Sequence, residues 1–139
     1  MQKETRTKAG IIERVSANDN TAISIIKPVP KKHKARLYMM RPGVEGWTEN
    51  DILRYCHLSS GRNYASELER ILDIRLERLD EQNPDGIGSH YRYRFSSRAD
   101  VLSVIQLVNY NAFINGHRKL TQREINDILD LYPDNTKAA

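Results

Sequence analysis

A chain of 139 residues, 39% hydrophobic and 29% charged, suffices for one domain with a compact core and some tail. It has no run near the roughly 20 apolar residues of a membrane helix; its opening MQKETRTKAG leads into no signal-like apolar stretch, and its single cysteine, Cys56, excludes an internal disulfide and fits a reducing cytoplasm. The net charge of +4 is unevenly placed: residues 1–46 hold ten Lys/Arg against four acids, and the rest of the chain twelve against fourteen, so the basic excess lies in the leader and the body is near neutral.

Residues 1–46 show little apolar periodicity. ANDNTA reads as loop, AISII as the only short strand candidate, and KPVPKKHKAR as a basic run in which Pro28 and Pro30 exclude a helix. A basic, flexible N-terminal arm is expected over 1–46. From Trp47 the signals become regular. Thr48-Glu49-Asn50-Asp51 is a capping box with Trp47 placed as the preceding hydrophobic staple, and a short amphipathic helix follows to near Leu58. SSGRN is a turn. YASELERIL then puts Leu68, Ile71 and Leu72 on one helical face.

DIRLERLDEQ fits either a helix, through Leu68, Leu72, Leu76 and Leu79, or a strand, through Ile74 and Leu76. HYRYRF is a strand of period two and needs a partner for its backbone groups. The nearest is 74–80, across the turn at NPDG. Placing Leu76 opposite Phe95 sets Arg78 beside Tyr93 and Glu77 beside Arg94, which gives one apolar face carrying Tyr91, Tyr93 and Phe95 and one charge-paired face. Beyond it, Ser97-Arg98-Ala99-Asp100 is a second capping box, opening a helix with a wide apolar face (Val101, Leu102, Val104, Ile105, Leu107, Val108) that is stopped by Gly116. Thr121-Gln122-Arg123-Glu124 caps a last helix, closed by Pro133. Residues 134–139 form a frayed tail. The fold class expected is α+β, mainly helical, over 47–133.

The pattern carries no catalytic or metal signature. The four histidines, His33, His57, His90 and His117, lack ligand spacing; one cysteine cannot build a zinc ribbon; and Gly86-Ile87-Gly88 lacks the strand–turn–helix context of a phosphate loop. Cys56 and His57, adjacent on a helix, point about 100° apart and cannot form a nucleophile–base dyad. No enzyme activity, cofactor or metal is expected.

Helix, glycine-containing turn, helix, hairpin, helix is an order that resembles the winged helix-turn-helix family from Trp47 to Asn115. SSGRNYASELERIL followed by DGIGSHYRYRF is similar to small winged-helix proteins of phages and prophages, excisionases and their relatives among them. The resemblance implies a transcription regulator or recombination accessory in the cytoplasm of a bacterial host, bound to double-stranded DNA, with a homodimer possible. It makes 62–72 the recognition helix: Arg62 and Asn63 suit guanine and adenine edges, Tyr64 and Ser66 phosphate, and Arg70 the backbone. In the wing, 83–95, Ser89, His90, Arg92 and Arg94 meet phosphate or minor groove. Lys31, Lys32, Lys34 and Arg36 add arm contacts. Against this, Asn63 is also a good helix N-cap, the wing arginines can pair with Glu77 and Asp80, and Glu67, Glu69, Asp80 and Glu81 oppose phosphate. The alternative is a non-catalytic protein-interaction module on the same fold, such as a phage-encoded inhibitor or adaptor of a host complex.

Overall fold

Pro30 does not end regular structure; it starts it. In the computed structural model, which describes residues 28–133, it is the N-cap of helix α1, Lys31–Met40, with φ −60° and ψ 151° and its carbonyl accepting from Lys34 N–H. A proline is expelled from a helix interior but is preorganised at the start, where its missing N–H has no partner to lose. The expectation that 31–46 belongs to a flexible arm is therefore corrected. Helix α1 buries His33, Ala35, Arg36, Met39 and Met40, and two of those five are polar, which hid the buried face from any apolar-periodicity reading. The strand candidate AISII, the start of the arm and the tail 134–139 lie outside the described residues.

A 3-10 turn, Gly43–Glu45, leads to a two-residue strand β1, Trp47–Thr48, and then to α2, Glu49–Cys56; α3 is Gly61–Leu72. The capping box is formed as expected: Thr48 Oγ1 accepts from Asp51 N–H at 3.0 Å and the Asp51 carboxylate from Thr48 N–H at 2.9 Å. Trp47 and Ile52, the staple pair, are both fully buried. Strands β2, Glu77–Gln82, and β3, Ser89–Arg94, form the hairpin; α4 is Arg98–Asn115 and α5 Gln122–Leu129. Among the described residues the chain is thus α+β, with five α-helices and one antiparallel sheet of order β1-β3-β2.

The hairpin register is the expected one, Glu77 opposite Arg94 and Arg78 opposite Tyr93. The sheet has one strand more than expected, because β1 pairs with the other edge of β3, Trp47 opposite Tyr93. This makes β3 central. The crossing is close: a Cβ on Gly46 would lie 2.1 Å from the Tyr93 carbonyl oxygen, so only glycine fits. Trp47 then stacks on Tyr93 and tilts against Phe95, with centroids at 5.9 and 5.3 Å. Tyr93 and Phe95 point inward as expected, but Tyr91 does not: it is 52% exposed. It lies beyond the two-residue β1, where nothing covers its face of the hairpin.

The core runs from Met39 and Met40 through Ile52, Leu68, Leu76 and Phe95 to Val101, Val104, Ile105 and Val108, each worth about 1.5–3 kcal/mol of apolar transfer when fully buried. Tyr132 closes the far end, donating to the Met40 carbonyl at 2.7 Å while its own carbonyl accepts from Arg98 at 2.8 Å. Burial pushes the Tyr132 phenol well above its ordinary range.

Candidate nucleic-acid interface

Helices α2 and α3 are joined by His57–Ser60, four residues, with His57 and Ser60 both in the left-handed region. A three- to four-residue turn is what a helix-turn-helix uses to set its two helices at a steep angle. Gly61 allows the close contact: a Cβ there would meet the Ile52 side chain at 3.1 Å. The left-handed Ser60 is the N-cap of α3, and Asn63 N–H donates to its carbonyl at 2.9 Å. Asn63 is therefore inside the first turn and not its cap, which leaves its amide on the surface.

Arg62, Ser66 and Arg70 stand one turn apart along the exposed side of α3, with Asn63 beside them, while Tyr64 is half-buried against the core. None of the three arginine or asparagine side chains has an ion-pair or hydrogen-bond partner among the described residues. The two glutamates of the helix lie on its flanks and are engaged. Glu67 accepts from Arg36 at 3.1 Å and stands 3.8 Å from Lys32. Glu69 accepts from both terminal nitrogens of Arg78, at 2.9 and 2.8 Å, and from Leu76 N–H at 2.9 Å. Arg78, first through that hydrogen bonding, holds the Glu69 carboxyl below its usual range. Ion pairs thus fasten α3 to α1 on one side and to the hairpin on the other.

The basic run does not act as a free set. Arg36 is 3% exposed and committed to Glu67; burial pulls its pKa down even against that partner. It is removed from the candidate contacts, and Lys32 sits beside the same carboxylate. Lys31 and Lys34 remain exposed on α1.

In the hairpin the charge-paired reading of the arginines prevails. Arg92 Nε donates to Glu81 at 2.7 Å, with Asp51 3.9 Å away; Arg94 Nε donates to Glu77; and the His90 ring bonds Glu81 at 3.1 Å and Asn83 at 2.7 Å. Arg94's partner is the Glu77 expected, whereas Arg92 pairs diagonally with Glu81 and not with Asp80, which faces Tyr91 across the strands. Arg92, again first by its hydrogen bond, pulls the Glu81 carboxyl down. Of the four expected wing contacts only Ser89 has a polar side chain uncommitted among the described residues.

Between the α2–α3 turn and the hairpin lies an open cleft of about 930 Å³ that brings Arg62 together with Ser89, His90 and Arg92. Arg54, Ser59, Ser60 and Asn83 also line it, as do Glu49, Asp51 and Asp80. Ser59 and Ser60 were legible only as turn formers. Asn83 was legible only as a turn former at the wing tip and Arg54 gave no sequence signal, since nothing local ties a helix-surface arginine to a loop asparagine 29 positions on. Elsewhere, burial raises the Cys56 thiol above its ordinary range, outweighing the nearby Lys34 charge that pulls the other way.

A family model described as Uncharacterised protein PM1773 matches residues 32–137, from the second residue of α1 through α5. No curated protein and no solved structure matches the chain. The chain belongs to the family of that model.

Proposed function

We propose that this member of the PM1773 family is a winged helix-turn-helix protein that binds double-stranded DNA, acting as a transcription regulator or recombination accessory of phage or prophage type. The observation that carries the reading is the state of α3. Its glutamates are neutralised on the flanks, and its outward stripe of Arg62, Asn63, Ser66 and Arg70 is free, rigidly mounted and without an acid until Asp73. Such a stripe on the second helix of a helix-turn-helix fits the major groove, about 12 Å wide, with arginine suited to guanine and asparagine to adenine. The order α2, four-residue turn, α3, hairpin supports the winged form, and the exposed Lys31 and Lys34 supply non-specific attraction.

The engaged wing arginines change the division of labour. Base reading rests on α3, and the hairpin adds few phosphate contacts. A mobility-shift titration on random-sequence duplexes at several salt concentrations tests this. Affinity should fall with salt, at about 0.9 counterion per phosphate contact, with a shallow slope reflecting few contacts. Negligible affinity at low salt overturns the reading.

A second reading has one observation in its favour. Tyr110, Phe113 and Ile114 are exposed along the last turns of α4, an apolar stripe that a protein partner could cover. Loss of DNA binding in the titration, with a partner retained, is the result that would favour it.

A further inference from the structure

We propose that the hairpin tip is an apolar wedge for the minor groove of duplex DNA, with Ile87 entering between two base pairs; this rests on the DNA-binding reading above. The hairpin's arginines are held by its own and neighbouring acids, Arg92 by Glu81, Arg94 by Glu77 and Arg78 by Glu69, and the His90 ring also bonds Glu81. At its apex the large side chain it offers outward is apolar, while Asp80, Gln82 and Ser89 are exposed along its strands. Ile87 is 75% exposed at the outermost turn, the most exposed large hydrophobic residue among those described, and Tyr91 and Leu79 are exposed behind it.

The tip is also braced. Asn83 Nδ2 donates to the Ile87 carbonyl at 2.8 Å, Ile87 N–H to Asp85 Oδ1 at 2.9 Å, and Gly86 N–H to the Asn83 carbonyl at 2.9 Å. Asn83 N–H donates to the Gly88 carbonyl at 3.2 Å, and the His90 ring holds the Asn83 amide oxygen at 2.7 Å. Both backbone groups of Ile87 are satisfied while its side chain touches solvent. The one acid next to the apex, Asp85, is turned onto the Ile87 N–H. A surface turn needs only polar residues; a turn pinned this closely around an aliphatic apex is a rigid apolar probe.

Placement supplies the rest. Six-residue strands reach about 20 Å at 3.3 Å per residue. With α3 in the major groove, the cleft between the α2–α3 turn and the hairpin straddles one sugar-phosphate strand, facing it with Ser59, Ser60, Arg62 and Ser89. The tip then lies over the adjacent minor groove. An aliphatic side chain there unstacks a base step and bends the duplex, most cheaply at flexible pyrimidine–purine steps.

The test starts by selecting a duplex from a randomised pool with wild-type protein. Circular-permutation mobility reads its bend, and 2-aminopurine placed at successive steps reads unstacking. Wild type should bend the duplex within the range of about 20–90° and unstack one step beside the α3 site. Ile87→Ala should lose the bend and about tenfold in affinity, and Ile87→Leu should retain both. Unchanged urea midpoints would show that both variants fold. If Ile87→Ala binds and bends like wild type while Arg62→Ala still loses sequence preference, the wedge is wrong and the DNA reading stands. If wild type selects no duplex even at low salt, both fall.

Discussion

Glu69 holds three donors with two oxygens, and the geometry of the candidate interface depends on it. Its carboxylate closes the turn after α3 through Leu76 N–H and clamps Arg78, whose guanidinium also lies 5.1 Å over the Tyr93 ring. Charge-assisted bonds of this kind contribute about 1.5–3 kcal/mol, and both partners are sheltered, at 18% and 31% exposure of their side chains. Glu69→Gln should therefore lower the urea-unfolding free energy by about 1–2 kcal/mol, and an unchanged midpoint would show the clamp to be ornamental. Because the folded pKa of Glu69 is depressed, its stabilisation is full above the unfolded value near 4.3 and is lost as pH falls below it. At the same scale, Asp80 lines the cleft without an ion-pair partner among the described residues. Asp80→Asn should raise DNA affinity severalfold at low salt and little at high salt, since an exposed charge is screened; filter binding at two salt concentrations would measure this. The register that pairs Glu77 with Arg94 was legible because strand alternation and turn position determine it together. The choice of Glu81 over Asp80 for Arg92 was not, because a diagonal pair depends on sheet twist.

Elements declared themselves where their ends carry side-chain signals. Thr48, Ser97 and Thr121 each cap a helix through the N–H three residues on, as expected, but the reciprocal carboxylate bond of the expected capping boxes is formed at Thr48 and Thr121 and not at Ser97. Helix α1 was missed because its buried face includes His33 and Arg36 and because Pro28 and Pro30 read as breakers when one of them is a starter. Strand β1 was missed because two residues carry no periodicity at all. The docking of α1 is open to a direct check. Met39 is fully buried in the core cluster, so Met39→Ala should cost about 2–5 kcal/mol in chemical denaturation. A loss below about 0.5 kcal/mol, the ordinary surface value, would return these residues to a free arm.

At the scale of the molecule, the candidate site is mounted on a frame whose two ends meet where α1 passes the end of α4. His33, 7% exposed, tilts against His117 with ring centroids 5.8 Å apart, and His117 Nδ1 is buried with no hydrogen-bond partner among the described residues. Burial first, then His117, then Arg36 pull the His33 pKa below 6.5. The pairing of remote residues, 84 positions apart, could not be read from spacing; only the packing of α1 on α4 creates it. Its consequence is acid sensitivity of the whole fold. The unfolded chain binds a proton on His33 more readily than the folded one, so stability is full above the unfolded value near 6.5 and declines as pH falls through that value. Carboxylates such as Glu69 act only below about pH 5, which separates the two effects. Urea midpoints should therefore fall between pH 7.5 and 5.5 in wild type, and the fall should be smaller in His33→Gln, which cannot be protonated. An equal fall in the variant would assign the acid response to other groups and leave the α1–α4 junction indifferent to pH.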